Sequence, residues 1–193
     1  VEATVEHVAH CFDSLIAKLE GKPLPRPVFD VSPSAPFFVT LNKKHPRHGY
    51  ILRGCLGSLS PLSLSELGNY ALKSAFKDRR FDPVDASEVP HMSCAVSLLV
   101  KYEDAAGAYD WVVGTHGILI SFVHSGQEFS ATYLPEVAPE QAWSQQEALE
   151  SLVRKAGFRG DPAAVMPGIK LTRYQSSKAA LTYGEYVALR ASG

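Results

Sequence analysis

Tyr50-Ile51-Leu52-Arg53-Gly54-Cys55-Leu56-Gly57 is an apolar, strand-like run that meets a cysteine set between two glycines. Upstream, Pro36-Phe37-Phe38-Val39-Thr40-Leu41 reads as a second strand. Between them, Asn42 to Gly49 is polar and reads as the turn of a hairpin, with Tyr50 to Leu59 as the returning strand. Gly54 and Gly57 predict a tight, shaped turn, because glycine allows backbone angles and close approaches that other residues resist. The Cys55 thiol is then presented at a strand end, where Arg53 favours the thiolate. The competing reading is a small buried cysteine beside a bulge.

Outward from this hairpin the pattern is α+β. Val1, Val5, Val8, Phe12, Leu15 and Leu19 recur at helical spacing, predicting a helix over about 1–20. Pro23, Pro25 and Pro27 then mark a linker over 21–36, followed by a main body over 37–193. Ser63-x-x-Glu66, Ser144-x-x-Glu147 and Thr182-x-x-Glu185 each fit a capping box ahead of apolar residues at helical spacing. Cys94 to Val100 is apolar enough for a central strand. Ile118–Val123 and Glu128–Leu134 form a hairpin about Ser125-Gly126. Neighbouring hairpin strands with separately grouped helices predict an antiparallel sheet flanked by helices, in one domain over 1–193 with room for a small second subdomain.

Composition bounds the chemistry. A 46% hydrophobic and 20% charged chain of 193 residues fits a globular domain. A net charge of −1 gives no bulk argument for nucleic acid, and no apolar run approaches the roughly 20 residues that span a bilayer. The three cysteines, 11, 55 and 94, form no disulfide pattern, which favours a reducing compartment. His7 with His10, and His91 with Cys94, lack the paired blocks of structural zinc, so no metal is expected. The Lys43–Arg47 cluster reads as a solvated loop, and no motif names a cofactor.

Cys55 and His116 are the nucleophile and base candidates, provided their side chains meet. A hydrogen-bonded structural histidine is the other reading of His116. Asp78 with Arg80 can recognise a carboxylate or phosphate, or can pin a loop to the sheet. Pro135 sets a rigid turn and leaves Glu136 as acceptor or base. Arg53 joins this group as the anion-binding or thiolate-stabilising residue.

Six segments in order resemble the AMMECR domain family: Leu52-Arg53-Gly54-Cys55-Leu56-Gly57, Ser74 to Phe81, Val113 to Ile118, Ala131 to Ala138, Arg154 to Phe158 and Ile169 to Tyr174. The resemblance extends from about Phe37 to Leu189 and is nearest to eukaryotic members. It implies that Cys55 and His116 line one groove, and its motifs mark Asp78, Arg80, Pro135 and Glu136 as further site candidates beside Arg53. Prokaryotic members look associated with Memo-like and radical S-adenosylmethionine proteins, which implies a modification reaction on a small molecule or macromolecule. Eukaryotic members imply a cytoplasmic or nuclear adaptor whose groove captures a protein partner. Enzyme and adaptor both remain open at the level of sequence.

Overall fold

The computed structural model describes residues 1–192. It shows an α+β fold whose antiparallel sheet has strand order β2-β1-β3-β6-β4-β5. The elements are α1 (Val5–Leu19), β1 (Ser34–His45), β2 (Gly49–Ser63), α2 (Leu67–Phe76), β3 (Met92–Asp104), β4 (Gly117–His124), β5 (Gln127–Tyr133), α3 (Val137–Gln141), α4 (Gln145–Lys155), β6 (Lys170–Thr182) and α5 (Tyr183–Ala191). The chain divides into two compact units, Val1–Leu98 with the end of the chain from Ser177, and Leu99–Ser176.

In the first unit, Val8, Phe12 and Leu15 of α1 are buried with Phe37, Val39 and Leu41 of β1, Leu67 and Ala71 of α2, and Val96 of β3. Alternation along β1 sends these three residues to one face, on which α2 packs. Thr4 caps α1 in an unexpected way. Its hydroxyl accepts the His7 N–H while His7 Nδ1 accepts the Thr4 N–H, a capping box with histidine in the carboxylate's place. α5 returns to α1 through Tyr186, stacked on Phe12 at 4.8 Å, and through Arg190, which donates to Glu6 and Asp13.

Several expectations need correction. β1 begins at Ser34, inside the expected linker, and runs through Asn42–His45, so the turn is only Pro46-Arg47-His48. Lys43, Lys44 and His45 are strand residues because each pairs across to β2. His7 and His10, weighed above only as metal ligands, are buried, and both lie edge-on to Phe29. Ser63 caps a short 3-10 turn by accepting from Ser65 and forms no box with Glu66, which instead accepts from Asn69. The boxes at Ser144 and Thr182 form as expected.

In the second unit, Trp111, Ile118, Ile120, Phe122, Leu149, Leu152, Val153 and Leu171 make the core. Ser125 (φ 50°) and Gly126 (φ 77°) both adopt left-handed angles, as a two-residue hairpin loop requires. The β4–β5 register runs unbroken from Ile118↔Tyr133 to His124↔Gln127.

Candidate functional site

Cys55 does not end a strand. β2 continues for eight residues beyond it, to Ser63, and its two glycines have no left-handed angle. They are required by close approach. A Cβ on Gly54 would lie 2.1 Å from the Ser74 carbonyl oxygen of α2, and one on Gly57 would lie 2.1 Å from that of Phe37. Leu41 pairs with Gly54 but Asn42 pairs with Leu52, so Arg53 is the extra residue of a β-bulge. A bulge bends its strand and re-aims the side chain it carries.

Cys55 pairs with Thr40, and the two side chains meet at 3.2 Å between Sγ and Oγ1. Neighbouring Val39 and Leu41 point into the core, so alternation puts Thr40 and Cys55 on the opposite face. The backbone of Cys55 is anchored from the other side. Asp78, in the loop after α2, accepts the Cys55 N–H at 3.0 Å. Next to it, Ser74 Oγ accepts the Leu56 N–H at 2.9 Å and donates to the Val39 carbonyl at 2.7 Å. Asp78 also accepts from the Arg80 backbone and takes its guanidinium in two-pronged fashion, at 3.0 and 2.7 Å. The Arg80 hydrogen bonds hold the Asp78 carboxyl well below the usual range, against the opposing effect of burial and with help from the Cys55 N–H.

The residue that sequence reasoning missed is Glu88. It accepts from Arg53 Nε and Nη2 at 3.0 and 3.2 Å, from Lys43 Nζ at 2.9 Å and from the Asp85 N–H at 2.7 Å. Burial opposes its ionisation, but the Arg53, Asp85 and Lys43 donors outweigh it and bring the carboxyl down to about 2. Its signal was the Asp85-x-x-Glu88 capping box, which forms on a 3-10 turn over Ala86–His91. The Arg53 side chain is only 12% exposed, and its Nη1 is buried with no hydrogen-bond partner among the described residues. Phe81 joins the two arginines, its ring centre 5.9 Å from the Arg53 guanidinium carbon and 5.4 Å from that of Arg80. Arg53, Cys55, Asp78 and Arg80 are thus gathered with Thr40, Phe81 and Glu88 in the first unit.

His116, Pro135 and Glu136 belong to the second unit. His116 Nδ1 accepts the Val112 N–H at 2.9 Å, closing a turn in which the His116 N–H returns to the Val112 carbonyl. One ring nitrogen therefore serves the loop that enters β4. Pro135 is buried and Glu136 exposed, between β5 and α3. Tyr174 was the overlooked residue here. Its ring fills the space where a Cβ on Gly117 would come within 2.4 Å, and its hydroxyl donates to the Tyr133 carbonyl at 3.0 Å and meets Thr132 Oγ1 at 2.8 Å. Burial pushes the Tyr174 phenol up to about 12.

The model of the AMMECR1 family matches residues 8–179. The chain belongs to the AMMECR1 family. An uncharacterised protein of Arabidopsis thaliana is 44% identical over 97% of this chain and 89% of its own length. One of Schizosaccharomyces pombe is 37% identical over 94% of each chain. Among solved structures, an uncharacterised protein of Pyrococcus horikoshii superposes with a TM-score of 0.68 at 25% identity, covering 90% of this chain and 89% of its own. None of these relatives has a named activity. Among the described residues no helix is long and apolar enough to cross a membrane.

Proposed function

We propose that the Arg53–Cys55 bulge captures an anionic group, a carboxylate foremost, carried by a protein partner or a small molecule. One observation carries the proposal: Arg53 Nη1 is buried and has no acceptor among the described residues, while the rest of the guanidinium is fixed on Glu88. A buried donor on a charged group left without a partner is expensive, so such donors normally meet a protein, water or ligand acceptor. Arg53 and Lys43 share the single charge of Glu88, which leaves the corner with positive charge for an incoming anion. The adaptor class suits this arrangement best.

Thermal unfolding at constant ionic strength, with added acetate, succinate or phosphate, tests it. Succinate should raise the midpoint of the wild-type chain, as any ligand of the folded state does. Arg53→Lys keeps a cation for Glu88 but removes Nη1, and should lose the response. No response to any of the three anions in the wild type would refute capture.

One observation favours a second, catalytic reading. Arg80 lies near enough to Cys55 for the two to interact, and a neighbouring cation favours a thiolate. Cys55 is then the nucleophile. Iodoacetamide labelling against pH should give a midpoint well below about 8.5 that Arg80→Gln raises, and a fall in labelling on His116→Gln would assign the base. A slow thiol of ordinary midpoint removes this reading. Cys55→Ala should fold normally in either case, and strong destabilisation would mark Cys55 as a packing residue only.

A further inference from the structure

We propose that the outer edge of the β1–β2 hairpin docks an extended, acidic segment of another protein by strand addition. The idea builds on anion capture at Arg53 for one of its contacts. β2 is the outermost strand and pairs only with β1 among the described residues. At its start Tyr50, Ile51 and Leu52 are exposed to 43, 45 and 39%. Successive strand residues point to opposite faces, so three exposed in a row mean that both faces are uncovered at this end. An open edge with both faces bare is what folded proteins usually guard against with charges, prolines or bulges. Here the bulge arrives only at Arg53. Beyond it, the amides of Cys55 and Leu56 are already held by Asp78 and Ser74. Gly49–Leu52 is therefore the open stretch on the tip side of the bulge, and the bulge with these two held amides ends the pairing there.

Charge specifies the occupant. Residues 31–65 contain no aspartate or glutamate, yet carry Lys43, Lys44, Arg47 and Arg53 together with His45 and His48. The whole chain has a net charge of −1, so this excess is local to the hairpin. Lys44, Arg47 and His48 are exposed at its tip, and Lys43 and Arg53 meet one carboxylate between them, Glu88. An extended segment alternating acidic and aliphatic residues satisfies all three features. Its backbone pairs with Gly49–Leu52, its aliphatic side chains cover Tyr50 and Leu52 on one face, and its carboxylates, on the other face beside Ile51 and Lys43, meet the cations. Main-chain pairing supplies affinity in such complexes and the alternating side chains supply selection.

The test is fluorescence anisotropy of the full chain with a labelled, end-capped ten-residue peptide of alternating glutamate and valine. We expect saturable binding that weakens at least tenfold for Ile51→Glu and for the double change Lys44→Glu with Arg47→Glu. N-methylating alternate amides of the peptide should also weaken binding at least tenfold, a comparison that needs no change to the protein and so no assumption about folding. Absence of binding, or equal binding of the methylated peptide, overturns strand addition. So does preference for an oligothymidylate or for phosphatidylserine vesicles over the peptide, which assigns the patch to nucleic acid or to membrane. The two proposals fail separately. If Arg53→Lys abolishes the succinate response but the peptide never binds, docking falls and anion capture stands. If the peptide binds without any succinate response, docking stands and capture at Arg53 falls.

Discussion

The β1–β2 and β4–β5 hairpins obey the same pleat and put it to different uses. β4–β5 turns in two residues, keeps one register throughout, and buries Ile118, Ile120 and Phe122 on a single face. β1–β2 turns in three residues into Gly49 (φ 66°) and slips register twice, between Ala35 and Phe37 and between Leu41 and Asn42. The second slip coincides with Arg53, the residue whose guanidinium is buried and incompletely bonded. A regular ladder can serve only the core face it alternates toward. An interrupted ladder releases one side chain from that alternation, and here the released residue is the arginine of the candidate site.

The sharpest way to break this contrast is to put a methyl group on a glycine of each hairpin. At Gly57 a Cβ would lie 2.1 Å from the Phe37 carbonyl oxygen and 2.6 Å from the Phe38 Cα, neither of which can move without the strand. We expect Gly57→Ala to destabilise by roughly 3 kcal/mol or more in urea unfolding. At Gly126 a Cβ meets nothing within 4 Å, and only the positive φ opposes it, so Gly126→Ala should lose about 1 kcal/mol. Equal effects would mean that the β1–β2 strands part easily enough to relieve the 2.1 Å approach.

A smaller difference should separate the carboxylates of the two regions. Glu88→Gln leaves Arg53 and Lys43 facing a neutral amide in a half-closed corner, and should destabilise by about 2–3 kcal/mol. Glu128 on β5 is exposed, and Glu128→Gln should stay within about 0.5 kcal/mol. A loss at Glu88 no greater than at Glu128 would show that the Arg53 cluster is held by its surroundings and not by this ion pair.

These contrasts also explain what the amino-acid sequence displayed and what it hid. The β4–β5 hairpin was legible because Ser125-Gly126 and the flanking alternation are local signals, and so were the helices with boxes at Ser144 and Thr182. The six ordered segments announced the family for the same reason. The Arg53–Glu88 pairing was illegible because its partners lie 35 positions apart and only the packed β1–β2–α2 layer brings them together. The glycine spacing of Gly54 and Gly57 was visible but ambiguous. A turn and a backbone crossing both demand glycine, and only the neighbouring chain decides between them. The cap at Thr4 was hidden in another way: histidine stands where the motif has a carboxylate, so Thr4-x-x-His7 does not read as a box.

Titration offers a third comparison, by region and by pH. Glu88 titrates from an ordinary 4.5 down to about 2 in the fold. A depressed carboxyl stabilises fully above its unfolded value and loses that contribution as pH falls toward the folded one. The β1–β2 corner should therefore loosen between about pH 4.5 and 2, by about 1–2 kcal/mol after allowance for partial solvent screening. His7 and His10 add an earlier loss. Burial, aided at His7 by the charge of His10, lowers both, so the unfolded chain takes up protons first and stability declines as pH drops below 6.5. Residue-resolved amide exchange should show the second loss in β1 and β2 and not in β4 and β5. Glu88→Gln should flatten it there, and an unchanged acid limb in that variant would assign the loss elsewhere.

The smallest expected effect lies at the tip of the regular hairpin. Ser125 sits at φ 50° ahead of Gly126 at φ 77°, the pair of left-handed angles for which Asn-Gly is the preferred dipeptide. Asparagine tolerates this region better than serine because its side-chain amide bonds the local backbone. Ser125→Asn should therefore stabilise by roughly 0.5 kcal/mol, read as a rise in the urea midpoint at constant slope. The β1–β2 loop has no equivalent gain, since Gly49 already occupies its left-handed position. If Ser125→Asn stabilises nothing, the β4–β5 register is set by the Ile118, Ile120 and Phe122 face and not by its turn. The two hairpins would then differ in register and burial and not in the chemistry of their turns.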